Sequence, residues 1–233
     1  MIKVAITGSS GFIGKHLVKF LKKEKEIIVI PFSRKKNNFY FIKDYSKIKK
    51  KYDFLIYLSE DANSLLYNLL KKQEILKYKS TIKKLSNLYK NRLIYFSSAS
   101  MYSDKLRGNI RENYKIYPNS LYSKNKIECE KVVKKNNGII LRLTNIIGKN
   151  MPNRNIITTV LKQIKKREII IKNKFPVRDF LHIDDLQNLI LKIIKKPKSG
   201  IYNVGSGKGI KVYNLAKAIV KKIDKKKKKI SME

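Results

Sequence analysis

The sequence predicts an α/β protein built on a doubly wound parallel sheet, followed by a small C-terminal part. Three observations predict it. Short β-branched and aromatic runs alternate with longer amphipathic stretches, as βαβ units require. The first run passes into a helix through the glycine-spaced turn Thr7-Gly8-Ser9-Ser10-Gly11-Phe12-Ile13-Gly14. A later run, Leu93-Ile94-Tyr95-Phe96, ends in the hydroxyl cluster Ser97-Ser98-Ala99-Ser100, at the strand end where open parallel sheets keep their ligands.

Element by element, strands are expected at 2–6, 27–30, 39–42, 54–58, 93–96, 139–143 and 201–204. Helices are expected to begin near Phe12, Gln73, Ser120, Ile156, Asp184 and Val212. In the first helix, Phe12, Ile13, Leu17, Phe20 and Leu21 make one apolar face at helical spacing. Strict alternation ends near Gly148, so residues 1–150 form one expected domain and 151–233 a less regular second part. That part opens with Met151-Pro152-Asn153-Arg154, and its segment 179–207 is expected to return to the main sheet. The lysine run at 225–229 reads as a solvated tail. Lys229-Ile230-Ser231-Met232-Glu233 reads as the start of a strand that is then cut.

Composition narrows the function classes. The chain has 233 residues, 55 of them Lys or Arg against 17 Asp or Glu, a formal charge of +38. At 42% apolar it can bury a core, which argues against disorder throughout. The single cysteine, Cys129, excludes an internal disulfide and fits a small buried residue better than a nucleophile, since no His is near it in sequence. His16 and His182 are far apart and lack paired spacing, so no metal site is expected; His182 reads as structural, at a helix start capped by Asp184 or Asp185. No apolar run approaches the ~18 residues of a membrane helix, and no signal peptide is recognisable. The expected location is the cytoplasm. Clustered Lys and Arg would be a footprint of phosphate binding, but here lysines spread along nearly every segment. Lys, Asn, Ile and Tyr abound while Trp is absent, which reads as compositional bias. No specific nucleic-acid partner is expected, although such a surface attracts anionic ligands.

The turn at Gly8, Gly11 and Gly14 matches a dinucleotide-binding fingerprint. One glycine permits the tight turn, one lets backbone approach a pyrophosphate, and one lets helix and strand pack closely. The helix N-terminus then offers N–H groups and positive partial charge to the phosphates. The acidic residue expected ~20 positions on, for an adenosine ribose hydroxyl, is missing. The second strand ends Ile30-Pro31-Phe32-Ser33-Arg34-Lys35-Lys36, with no carboxylate until Asp44. Ser33 and Arg34 suit a 2′-phosphate instead, because guanidinium matches phosphate oxygens in fork geometry. NADP is therefore favoured slightly over NAD.

Tyr122 and Lys126 stand at i and i+4, on one helical face. A phenol can serve as general acid–base once an adjacent ammonium favours its anion. Four Tyr-x-x-x-Lys pairs occur, starting at Tyr45, Tyr67, Tyr122 and Tyr213, so spacing alone selects none of them. Only Tyr122 lies on the helix that follows the Ser97–Ser100 cluster.

With these residues in place, the chain resembles the extended short-chain dehydrogenase/reductases, specifically the NAD-dependent epimerase/dehydratase type acting on nucleotide sugars, with a Rossmann sheet. The resemblance runs through Thr7–Gly14, Asp44-Tyr45, Asp53–Ser59, Phe96–Tyr102, Tyr122–Lys126, Leu141–Asn145, Arg178–Asp185 and Ile201–Gly207. It implies that Tyr122 carries the proton of a sugar hydroxyl or keto oxygen, and that Lys126 tunes Tyr122 and binds the nicotinamide ribose. Ser98 would hydrogen-bond the reacting oxygen. Phe12, Ile13 and Leu58 join the three glycines in holding cofactor, with Asp44 and Tyr45 flanking adenine. Asn145 and Arg178 would contact the nucleotide diphosphate, and Arg142 is assigned to structure.

Departures from the family pattern narrow the reaction. Dehydratases carry Asp-Glu where this chain has Ala99 and Ser100, so 4,6-dehydration is not expected. Ser59 replaces the usual Ala, and Lys77 the usual Asn. The expected activity is nucleotide-sugar epimerisation or ketosugar reduction, with a nucleotide-diphosphate sugar as partner, no membrane, and a homodimer left open. The alternative is a noncatalytic dinucleotide- or anion-binding protein left by C-terminal truncation.

Overall fold

The computed structural model describes residues 1–35, 39–60, 67, 69–103, 106, 108–153, 155–224 and 228–232; Lys36, Arg154 and residues 225–227 of the lysine run lie outside the described residues. The chain runs β1 (Ile2–Ile6), α1 (Phe12–Leu21), β2 (Ile27–Ser33), β3 (Tyr40–Phe41), β4 (Phe54–Tyr57), α2 (Lys72–Tyr89), β5 (Leu93–Ser98), α3 (Leu121–Lys135) and β6 (Ile139–Leu143). It continues through β7 (Asn145–Ile147), α4 (Ile156–Lys162), β8 (Glu168–Ile171), β9 (Val177–His182), α5 (Ile183–Lys195), β10 (Gly200–Val204), β11 (Gly209–Lys211), α6 (Val212–Ile223) and β12 (Lys229–Met232).

Two compact units result: Met1–Thr144 with Ile183–Val204, and Asn145–His182 with Gly205–Glu233. The first holds a seven-stranded sheet in the order β10-β6-β5-β4-β1-β2-β3, with every pair parallel. All seven strands expected from sequence enter this sheet. Its central strands are covered on both faces, and β4 is buried along its whole length, which is why it reads as an unbroken apolar run. On one side, Leu55, Tyr57, Leu93 and Tyr95 pack with Ile82 and Leu85 of α2 and with Cys129 and Val133 of α3. Elsewhere in the unit α1 pairs with α5, and Gln187 Nε2 donates to the His16 carbonyl at 2.7 Å. Leu17, Val18 and Leu21 of α1 are buried, each worth about 1.5–3 kcal/mol. The strand order reverses between β1 and β4, so a crevice opens at their carboxyl ends.

In the second unit the strand expected from Lys229 is present as β12, whereas β7, β8, β9 and β11 are not marked by pattern. Within the unit β9 pairs with β7 in parallel and with β11 antiparallel, and β12 pairs with β8. Val160, Ile169, Ile171, Val212, Ala216 and Val220 form its core. These strands are short, and apart from β8 few of their residues are buried; β9 (Val-Arg-Asp-Phe-Leu-His) lacks the alternation that marks a half-buried strand. Helix α5 starts at Ile183, which puts Asp184 and Asp185 inside its first turn rather than at its cap. Negative charge there still complements the helix dipole.

Candidate active site

The glycine turn sits at the reversal point, between β1 and α1. Gly8 has φ +65, and a Cβ on it would come within 2.7 Å of the Leu58 carbonyl oxygen. Gly14 is closed off by the turn itself: a Cβ there would lie 2.4 Å from the Gly8 oxygen. Gly11 differs, being exposed at the N-cap of α1 with no side-chain cap. Two of the three glycines thus let the chain pack on itself, while Gly11 leaves backbone open to a ligand. Phe12 and Ile13 follow on the first helical turn, half-buried.

Beside the turn, Arg34, Lys43, Asp44, Tyr45, Ser59 and Lys77 line a small cavity. Asp44 caps a short 3-10 turn by accepting the Ser46 N–H at 2.9 Å, and that bond holds its carboxyl below the usual range. The turn seats Tyr45, whose hydroxyl accepts the Gly8 N–H at 3.3 Å. Arg34 lies over the Tyr45 ring, 5.7 Å from its centre. Ser33 is fully buried; its hydroxyl donates to Ser10 Oγ at 3.1 Å and accepts the Lys35 N–H at 3.0 Å. Arg34, rather than Ser33, is therefore the group available to an anion. Ser59 Oγ is buried with no hydrogen-bond partner among the described residues, as expected of a hydroxyl that awaits a polar ligand. Open Gly11, orphaned Ser59 and three cations around one carboxylate together fit an anionic dinucleotide.

The second cluster lies at the end of β5. Ser98 Oγ accepts the Ser100 N–H at 3.2 Å and donates to Ser100 Oγ at 2.9 Å, capping a 3-10 turn. Ser120 caps α3 by accepting from the Ser123 N–H, which brings Tyr122 and Lys126 into its first turns. Both are buried. The Lys126 ammonium donates to the Phe96 carbonyl at 2.7 Å and lies 5.7 Å from the centre of the Tyr122 ring. Tyr67 meets that ring edge-on at 5.4 Å.

Sequence reasoning missed the carboxylate in this cluster. Glu60 Oε2 stands 3.0 Å from Lys126 Nζ, with both side chains under a tenth exposed, and Glu60 Oε1 accepts from Tyr95 at 3.0 Å. A carboxylate just after a buried strand, in a chain so poor in acids, was the available signal. Burial works against the Lys126 charge, and Glu60 overrides it, so the ammonium titrates above the usual lysine range. Cys129, one turn on, is buried, and that burial pushes its thiol up to about 12.

Arg142 is structural, as expected. It forms a two-pronged pair with Glu130 at 2.7–3.3 Å and donates to the Tyr102 hydroxyl at 2.7 Å. Tyr102 in turn donates to Asn203 Oδ1 at 2.8 Å. In the second unit, Asn145 on β7 donates to the Asp179 carbonyl at 2.9 Å, and Arg178 stands exposed on the neighbouring β9. The Asp179 carboxylate, also missed from sequence, accepts from the Ser206 and Gly207 N–H groups and the Ser206 hydroxyl. Among the described residues no three His, Cys, Asp or Glu gather as a metal site, and no helix is long and apolar enough to cross a membrane.

Comparison with known proteins agrees with the fold. Residues 4–205 match the family model described as NAD dependent epimerase/dehydratase family. ADP-L-glycero-D-manno-heptose-6-epimerase of Brachyspira hyodysenteriae is 28% identical, over 93% of this chain and 80% of that protein. GDP-6-deoxy-D-talose 4-dehydrogenase of Aggregatibacter actinomycetemcomitans is 25% identical, over 92% of this chain and 78% of its own. Among solved structures, UDP-N-acetylglucosamine 4-epimerase of Methanobrevibacter ruminantium superposes with a TM-score of 0.85 at 21% identity, covering 100% of this chain and 85% of that one.

Proposed function

This chain belongs to the NAD dependent epimerase/dehydratase family, and we propose that it interconverts nucleotide-diphosphate sugars by hydride transfer at a sugar carbon, as an epimerase or a ketosugar reductase. The observation that carries the reading is the Lys126 ammonium anchored on the Phe96 carbonyl at the end of β5 while it faces the Tyr122 ring. The two curated relatives, one named an epimerase and one a dehydrogenase, match the two reactions left open.

A bound nicotinamide dinucleotide supplies the hydride donor and acceptor. Tyr122 moves the proton of the sugar oxygen, with the Lys126 ammonium held beside its ring. Ser98 offers a hydroxyl to the same oxygen. Gly8 and Gly14 let the turn close on itself so that Gly11 can offer open backbone to the pyrophosphate, with Phe12, Ile13 and Leu58 beside it, and Asp44 and Tyr45 shape the adenine end. Arg34, Lys43 and Lys77 favour a 2′-phosphate there, so NADP is the preferred cofactor and NAD the other candidate. Asn145 and Arg178 take the substrate's diphosphate. Ala99 and Ser100 supply no acid pair for water loss, which leaves hydride transfer without dehydration.

Tyr122→Phe keeps the ring and removes its proton. Turnover on a pool of nucleotide sugars should fall about 10²–10⁴-fold while cofactor still binds; unchanged turnover refutes the assignment. Mass spectrometry of ligands that co-purify with the protein identifies the sugar.

A further inference from the structure

Buried ion pairs are seldom neutral features, because taking two charges out of water costs several kcal/mol per ion unless the geometry repays it. Glu60 follows β4 and Lys126 lies on α3, so the packing of α3 on the sheet brings them together. The groups facing Lys126 are Glu60, Tyr95 on β5, and Tyr122 and Cys129 on its own helix, while Tyr57 and Tyr67 lie in the field of Glu60. Burial, reinforced by Glu60, pushes the Tyr57, Tyr67, Tyr95 and Cys129 groups up, so they stay protonated and neutral. Among the described residues Glu60 is the one carboxylate paired with Lys126.

We propose that Glu60 is the positioning residue for Lys126, supplying the counter-charge that lets a buried ammonium rest on the Phe96 carbonyl against the Tyr122 ring. The proposal rests on the functional reading given above for Tyr122 and Lys126. With Glu60 in place, Lys126 keeps its proton into strongly alkaline solution. Without it, burial is opposed chiefly by the Phe96 carbonyl, and a buried lysine lacking a counter-charge can fall by up to about 3–5 pH units.

The test is Glu60→Gln, which removes the charge and keeps the shape. The alkaline limb of its turnover profile should move acid by about 2–4 pH units, and Glu60→Asp should restore it in part. Thermal unfolding provides a readout independent of activity. In the Gln variant the unfolded chain binds a proton at Lys126 that the folded chain has lost, so its stability rises with pH across that window. Its deficit against wild type should therefore narrow between about pH 6 and 10. A deficit independent of pH, or an alkaline limb that stays in place, overturns the proposal. If the deficit narrows while wild type and Tyr122→Phe turn over alike, the functional reading fails and the ion-pair role stands. Should Glu60→Gln not fold, the double variant Glu60→Gln, Lys126→Met removes both charges and should fold. A double variant as unstable as the single one refutes the counter-charge role.

Discussion

The three glycines of the first turn look interchangeable in sequence, yet the structure assigns them different work, and one substitution made at two of them separates fold from ligand. Ala at position 8 must adopt φ +65, a left-handed conformation that costs about 1–2 kcal/mol for a residue with a Cβ. The same Cβ would sit 2.7 Å from the Leu58 oxygen and 2.9 Å from its carbonyl carbon. Backbone cannot rotate aside as a side chain does, so β1 and β4 must part, at a typical overpacking cost of about 1–3 kcal/mol. The sum, about 2–5 kcal/mol, lowers the melting temperature by roughly 4–20 °C for a chain of this size. Gly11 has φ -75 and ψ 173, open to any residue, and the nearest atom to its Cβ is the Gly8 oxygen at 3.2 Å. Gly11→Ala should cost no more than about 1 kcal/mol of stability, the usual scale for an N-cap change. It should nevertheless weaken dinucleotide binding about tenfold or more, ~1.4 kcal/mol, because its methyl group fills the approach to the pyrophosphate. Melting curves and fluorescence titration of cofactor on both variants decide it. Equal destabilisation by the two, or Gly8→Ala melting like wild type, refutes the division.

Arg142→Met strands a buried Glu130 and should cost about 3–5 kcal/mol, whereas Arg142→Met with Glu130→Met should recover most of it; chemical denaturation measures both, and equal losses would deny the pair its weight. Arg34→Ala should erase most of a roughly tenfold to hundredfold preference for NADP, the worth of a charge-assisted hydrogen bond; tighter NAD binding by wild type in the same titration counts against the 2′-phosphate reading. The Cys129 thiol, held at about 12, becomes a thiolate only as pH rises past that value, so a disulfide reagent at pH 8 should label it in denaturant and leave the native protein unlabelled. Rapid native labelling would show that the helix opens there.

What sequence could disclose depended on whether the physics was local. The main sheet was readable because its central strands β4, β5 and β6 are buried along nearly continuous runs, and the helices between strands carry their own 3.6-residue period. The glycine turn was readable because its geometry closes within eight residues. Most of the second unit resisted because β7 and β11 are three residues each with none of them buried, so neither burial nor alternation marks them.

The same distinction governs the site. Tyr122 and Lys126 are neighbours on one helix, and the strand before them ends in serines, so a short window holds the pattern. Tyr45 was placed beside the adenine end, but its bond to the Gly8 N–H joins the third strand's exit to the first turn and has no local signature. Ser33 shows the reverse case: the hydroxyl stands at the right strand end, yet tertiary packing engages it with Ser10 and Lys35. Glu60 is the sharpest instance. One acid after a strand carries no period and no spacing, and its partner lies on a helix that the chain reaches only after another helix and strand. The carboxylate finds its partner only when α3 packs over β4 and β5, because that packing sets a buried charge 3.0 Å from the ammonium on which the proposed chemistry depends.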